Sequence, residues 1–174
     1  MSNLRLINET TVSSAVSIVS VTDVFSADFD IYKVTVRGFE LGGSPLSGHN
    51  LQFVNSSGSI VTASEYDSAT LGMKTSNTYS NDKTTNGTTG RLGMSIGTSP
   101  NDAVTTLYVF NPFSSSSYTF YLNQSMSYGN QWVGGKSIGV LTQLSSISGI
   151  AFNTNSTKTL NNGTINIYGL RVDS

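Results

Sequence analysis

The chain has 174 residues, a formal net charge of −1, no cysteine, one histidine and 11% charged residues. That length predicts one domain over residues 1–174, large enough for a core without disulfides. The composition excludes cysteine-based metal and redox sites, and it lacks the basic excess of a nucleic-acid binder. Polarity comes from Ser, Thr and Asn, while eight Tyr, eight Phe and many β-branched residues favour strands. Met1-Ser2-Asn3 opens without a basic stretch leading into an apolar core, so no targeting segment is expected. Val12 to Phe25, interrupted by serines and Asp23, is too short and mixed to span a bilayer. No membrane partner follows from it.

In chain order, Tyr32, Val34 and Val36 alternate with Lys33, Thr35 and Arg37, which predicts a strand with one buried face. Leu51 and Phe53, then Asn55-Ser56-Ser57-Gly58, then Ile60-Val61 read as a hairpin. Lys74 to Gly90 is polar with no apolar period, which predicts a long loop, either plain surface or an arm that orders against a neighbouring subunit. Leu92, Met94 and Ile96 alternate with Gly93 and Ser95, whose small size suggests a closely packed second surface. Leu107 to Phe110 is apolar on both faces and reads as a central strand. Tyr118, Phe120 and Leu122 continue the alternation after Asn111-Pro112. Ile138 and Val140, then Ile147, Ile150 and Phe152, supply two more strands. Asn153 to Asn162 reads as a plain hairpin connection. After the Asn162-Gly163 turn, Ile165, Ile167 and Gly169 share one face; Asn166, Tyr168, Leu170 and Val172 share the other. Eight to ten strands and almost no helix predict an all-β, antiparallel β-sandwich, most simply a jelly-roll.

Chemistry-bearing constellations are few. His49 is the sole histidine, so a two-histidine metal site is impossible; following Ser47-Gly48, it reads as a surface residue at a strand entrance. Gly42-Gly43 and Gly134-Gly135 lack the phosphate-loop and dinucleotide patterns and read as turn or bulge glycines. The pairs Asp28/Asp30 and Glu65/Asp67 each supply two carboxylates, short of a calcium loop and with nothing placing one pair across a cleft from the other. Six Asn-x-Ser/Thr triplets, beginning at Asn8, Asn55, Asn86, Asn123, Asn155 and Asn162, suit a chain this rich in Asn, Ser and Thr. Trp132 admits three roles: core, subunit interface, or a platform for a sugar ring beside Tyr118, Tyr121 and Tyr128. No catalytic residue, metal or cofactor emerges, and no enzyme activity is expected.

Taken together, Asp30-Ile31-Tyr32-Lys33-Val34-Thr35-Val36, Leu51-Gln52-Phe53, Ser64-Glu65-Tyr66, Tyr108-Val109-Phe110-Asn111-Pro112, Ile147 to Phe152, and the closing Gly163-Thr164-Ile165-Asn166-Ile167-Tyr168-Gly169-Leu170 resemble small virion structural proteins of tailed bacteriophages, of the marine and cyanophage type. The resemblance implies a β-sandwich on the head or tail surface, made in the host cytoplasm, with no catalytic residue to carry over. The expected role is a head decoration (cement) protein that binds the major capsid protein or another virion protein. The alternative is a tail adhesin or carbohydrate-binding module contacting host glycan. Self-association as a homotrimer is expected from unprotected sheet edges. The residues expected at the interface are Tyr168, Leu170 and Val172 on the last strand, Lys74, Tyr79 and Lys83 in the polar tract, and Trp132.

Overall fold

A computed structural model of the chain describes residues 3–42, 47–96, 103–128, 131–154 and 157–171. Among them are fourteen strands and no helix: β1 Leu4–Val12, β2 Ile18–Val21, β3 Ile31–Arg37, β4 Leu41–Gly42, β5 Ser47–Asn55, β6 Tyr66–Lys74, β7 Thr78–Gly87, β8 Gly90–Ile96, β9 Ala103–Phe110, β10 Thr119–Tyr128, β11 Trp132–Leu141, β12 Ile147–Thr154, β13 Thr159–Leu160 and β14 Gly163–Leu170. Strands therefore outnumber the eight to ten expected, because two-residue and polar strands carry no periodic signal. All pairings are antiparallel. An eight-stranded sheet runs β1-β14-β3-β9-β10-β11-β6-β7, a four-stranded sheet runs β2-β12-β5-β8, and β13 pairs with β4. The protein is a β-sandwich.

One core fills the space between the sheets. Tyr32, Val34, Leu107, Val109, Ile165 and Ile167 come from the large sheet, and Leu51, Phe53, Ile150 and Phe152 from the small one. β3 and β14 bury the apolar face of their alternation: β3 reads half-buried, buried, half-buried along its length, and Ile165 and Ile167 are inside while Tyr168 and Leu170 face out. β12 is buried on nearly every residue. The Asn55–Ser59 turn forms as expected. The Asn55 side chain accepts hydrogen bonds from the Ser57 and Ser59 amides at 3.0 Å, and Gly58 adopts φ +78°.

Three expectations are corrected, and the alternation in β10 proves to face its apolar set outward. Lys74–Gly90 is not a loop: residues 78–87 form β7, the outermost strand of the large sheet, hydrogen-bonded to β6. An edge strand exposed on both faces needs no apolar alternation, so its sequence gives no strand signal. Asn153–Asn162 is not a simple hairpin; it contains β13 and crosses from the small sheet to the large one. Gly134 and Gly135 sit in mid-strand in β11, in unbroken register with both neighbours, and belong to neither a turn nor a bulge. Tyr118, Phe120 and Leu122 are on the solvent side, and the buried residues of β10 are Thr119, Tyr121, Asn123 and Ser127.

That inversion has a physical cause. β8 lies across β10, β11 and β6 and turns backbone carbonyls toward them, so the residues beneath must donate hydrogen bonds. Tyr121 Oη donates to the Arg91 carbonyl at 3.1 Å, and Asn123 Nδ2 to the Leu92 carbonyl at 2.7 Å. The close approach expected around Gly93 is present: with φ +66°, a Cβ there would lie 2.7 Å from Ser137 Oγ.

Candidate docking face

Register places one residue of each large-sheet strand in a continuous outward row: Leu6, Tyr168, Lys33, Tyr108, Leu122, Ile138, Ala69 and Lys83. A parallel row toward one end holds Leu4, Leu170, Ile31, Phe110, Phe120 and Val140. On the other side a polar row (Asn166, Thr35, Thr106, Gln124 and Lys136) precedes Val104, Met126, Gly134, Met73 and Tyr79. Tyr128 and Trp132 stand beyond, directly cross-strand, with ring centroids 5.0 Å apart at 58°. Among the described residues, fifteen large hydrophobics are exposed, and all but Phe113, Tyr118 and Leu144 lie on this face. Side chains on successive strands are about 4.8 Å apart and alternate residues about 7 Å apart, which gives a face of roughly 34 by 27 Å, on the order of 900 Å².

A groove of about 530 Å³ runs along this face between Phe120, Ile138, Val140 and Ala69, with Asp67 and Lys83 at its rim. The register gives the face four cations, Lys33, Arg37, Lys83 and Lys136, against Glu9 and Asp67. Glu9 accepts a hydrogen bond from Asn166 Nδ2 at 2.6 Å, and Asp67 from the Asn86 amide at 2.8 Å. A chain of net charge −1 therefore presents an excess of two positive charges here.

Of the residues expected at an interface, Tyr168, Leu170, Tyr79, Lys83 and Trp132 all share this face. Lys74 falls on the opposite parity of β6, paired with Val133 and Thr78, and Val172 lies outside the described residues. β14 is not an edge: β1 covers it. Trp132 is not a core residue, being 48% exposed. The sequence reading missed Phe120, Leu122, Met126, Val104 and Ile138 as surface residues. The reading of Leu107–Phe110 as a central strand holds, with β9 between β3 and β10; what would have marked the uncovered face is the apolar set of β10 and β11 alternating with Thr119, Asn123, Ser127 and Ser137, which are the buried ones.

The other constellations stay apart. His49 is buried in β5, not at the surface, with Nε2 3.4 Å from Thr105 Oγ1. Asp28 accepts a hydrogen bond from Ser26 in an exposed loop. Among the described residues no three His, Asp or Glu side chains gather to hold a metal, and no helix is long and apolar enough to cross a membrane.

No family model and no curated protein matches the chain. Two solved chains are similar to it: one from the infectious bursal disease virus VP2 subviral particle, with 9% identity, 98% of this chain and 41% of that chain covered, and a TM-score of 0.15; and one from the Gx strain of infectious bursal disease virus, with 12% identity, 95% and 39% covered, and a TM-score of 0.17. This chain spans about two fifths of the length of each. At those scores the likeness carries no argument about fold or role.

Proposed function

We propose that the chain is a bacteriophage virion structural protein: a decoration protein that docks on the outside of the head, against the major capsid protein or another virion protein, and strengthens the shell. The observation that carries this reading is the uncovered apolar outer face of the large sheet. Its size, on the order of 900 Å², matches the roughly 800 Å² per partner of a specific protein interface. Its composition suits one as well, with Trp, Tyr, Phe and Met at the contact and a polar row through it. The sequence resemblance to phage virion proteins supplies the partner. In this reading the chain is a jelly-roll and no enzyme, needs no cofactor, and works by mass action, since whatever binds only the assembled shell favours it. A homotrimer belongs to the same proposal. β7, exposed on both faces, leaves surface for a neighbouring subunit, and light scattering at high concentration is expected to give three times 18.5 kDa.

The experiment is removal of the gene, followed by imaging and heating of the particles. Loss of regularly spaced outer density from the head, with a lower melting temperature of the shell, is the expected result. Heads with unchanged density and melting, and mass missing at the tail tip, would transfer the chain to the glycan-binding adhesin reading.

A further inference from the structure

Gly134 lacks each of the usual reasons for a glycine in a strand. Its φ is not positive, unlike Gly38, Gly58, Gly93 and Gly163. Register through Val133, Gly134 and Gly135 is unbroken on both sides, so no bulge requires it. A Cβ there would meet nothing closer than Met73 Cε and the Ser125 carbonyl, both at 3.9 Å, whereas a Cβ at Gly139, Gly149 or Gly169 would collide with a ring or with backbone. Glycine weakens a strand interior, so the fold alone would favour almost any other residue at this position.

With no side chain of its own, Gly134 leaves a dip on the outer face whose nearest atoms are the Met73 methyl and the Ser125 carbonyl, each 3.9 Å from where a Cβ would stand. Met126 and Met73 flank Gly134 on the adjacent strands, each about half exposed, and Trp132 and Tyr128 close one end. Lys136 projects from the same strand two residues further on. The gap between the flanking strands is about 10 Å from backbone to backbone. We infer that Gly134 is the floor of an anchor pocket that receives one apolar side chain of the partner protein, from a segment that carries a carboxylate to meet Lys136. Thioether walls adapt to the shape of such a side chain, and Trp and Tyr beside a pocket are where binding energy concentrates. A sugar ring suits the pocket less well, because its hydroxyls would face two methionines. The inference rests on the outer face being the docking surface.

Trp132 is the only tryptophan, so its fluorescence reports on this pocket directly. The probe is phage heads purified from a strain lacking the gene. On adding heads, the wild-type emission is expected to shift to the blue and its quenching by acrylamide to fall. Gly134→Val, favourable in a strand, is expected to melt at or above the wild-type temperature, bind heads at least tenfold more weakly and lose most of the blue shift. A Gly134→Val protein that binds with wild-type affinity and the same shift overturns the pocket, while loss of binding in Ile138→Asp would leave the docking face standing. Wild-type protein that does not bind heads at all defeats the docking reading itself. A Trp132 shift produced by purified lipopolysaccharide without heads, and lost in Gly134→Val, overturns the apolar-side-chain assignment in favour of a sugar.

Discussion

At the scale of single residues, two β11 glycines separate packing from function. Gly139 faces inward against the Tyr121 ring, and a Cβ there would enter the ring. Gly139→Ala is expected to destabilise the fold by about 1–3 kcal/mol, as overpacking does, in urea unfolding, in contrast to the neutral change at Gly134. The buried phenols make a second prediction. Tyr66 Oη accepts from the Phe53 amide at 2.9 Å and donates to the Val61 carbonyl at 3.1 Å, and Tyr121 spans from β10 to β8. Burial holds both phenols well above their ordinary value of 10.0, and the Glu65 charge adds to the effect at Tyr66. A folded phenol that resists ionisation keeps its full stabilisation below the unfolded value. Above it the unfolded chain releases the proton and the folded one does not. Stability is therefore expected to hold steady with respect to these groups up to pH 10, then to fall by about 1.4 kcal/mol per pH unit for each tyrosine. Tyr66→Phe is expected to cost about 1–3 kcal/mol at neutral pH by leaving the Phe53 amide and Val61 carbonyl without this partner. It should also flatten the alkaline decline, measured as urea midpoints between pH 8 and 11.

At the scale of elements, β8 is held to the large sheet by side chains reaching from β10. Asn123 Nδ2 and Ser125 Oγ both donate to the Leu92 carbonyl, and Tyr121 Oη to that of Arg91. Asn123→Ala is expected to cost about 1–3 kcal/mol and to speed amide hydrogen exchange in β8 before any other strand of the core. The same contacts explain what the sequence could and could not convey. β3 and β14 were legible because an apolar core faces one side of each, so alternation maps directly onto burial. β10 alternates equally well, yet its apolar set of Phe120 and Leu122 points outward, since the backbone of β8 claims the polar set inside. Alternation reveals that two faces differ; which of them is buried depends on what packs there. β7 was illegible because an edge strand in water has no face to bury, and its place is fixed by pairing with β6 and by the Asp67 carboxylate on the Asn86 amide. For the site, Tyr168, Leu170, Tyr79, Lys83 and Trp132 could be singled out by type, but their shared face follows from a strand order that joins residues more than eighty positions apart.

At the scale of the molecule, apolar area and charge are arranged on one side together. The outer face combines most of the exposed large hydrophobics with Lys33, Arg37, Lys83 and Lys136, while the chain as a whole is slightly acidic. Two copies laid face to face would bring like charges together, which disfavours a symmetric dimer through this surface and favours a partner that is apolar and acidic. Against expectation the edges of the large sheet are protected from strand addition, so a trimer has to pack through the exposed faces of β7 and not by pairing its edge: β1 and β7 each carry a register shift and charged residues, Arg5 and Glu9 on one, Asp82 and Lys83 on the other, and Asp82 is paired with Arg91. Bulges and charges are the devices that keep sheet edges from adding strands. With the apolar area holding the complex and the cations steering it, salt should act unequally on the two rates. Raising ionic strength from about 0.05 to about 0.5 M shortens the Debye length from about 14 Å to about 4 Å. Association with heads lacking the protein is expected to slow several-fold while dissociation changes little, as for rim charges that guide encounter. A Lys33→Gln/Arg37→Gln double variant should remove most of the salt dependence of association and leave the dissociation rate near wild type, followed by surface plasmon resonance on immobilised heads. Dissociation that accelerates with salt as steeply as association slows would mean that ion pairs, and not the apolar face, hold the complex.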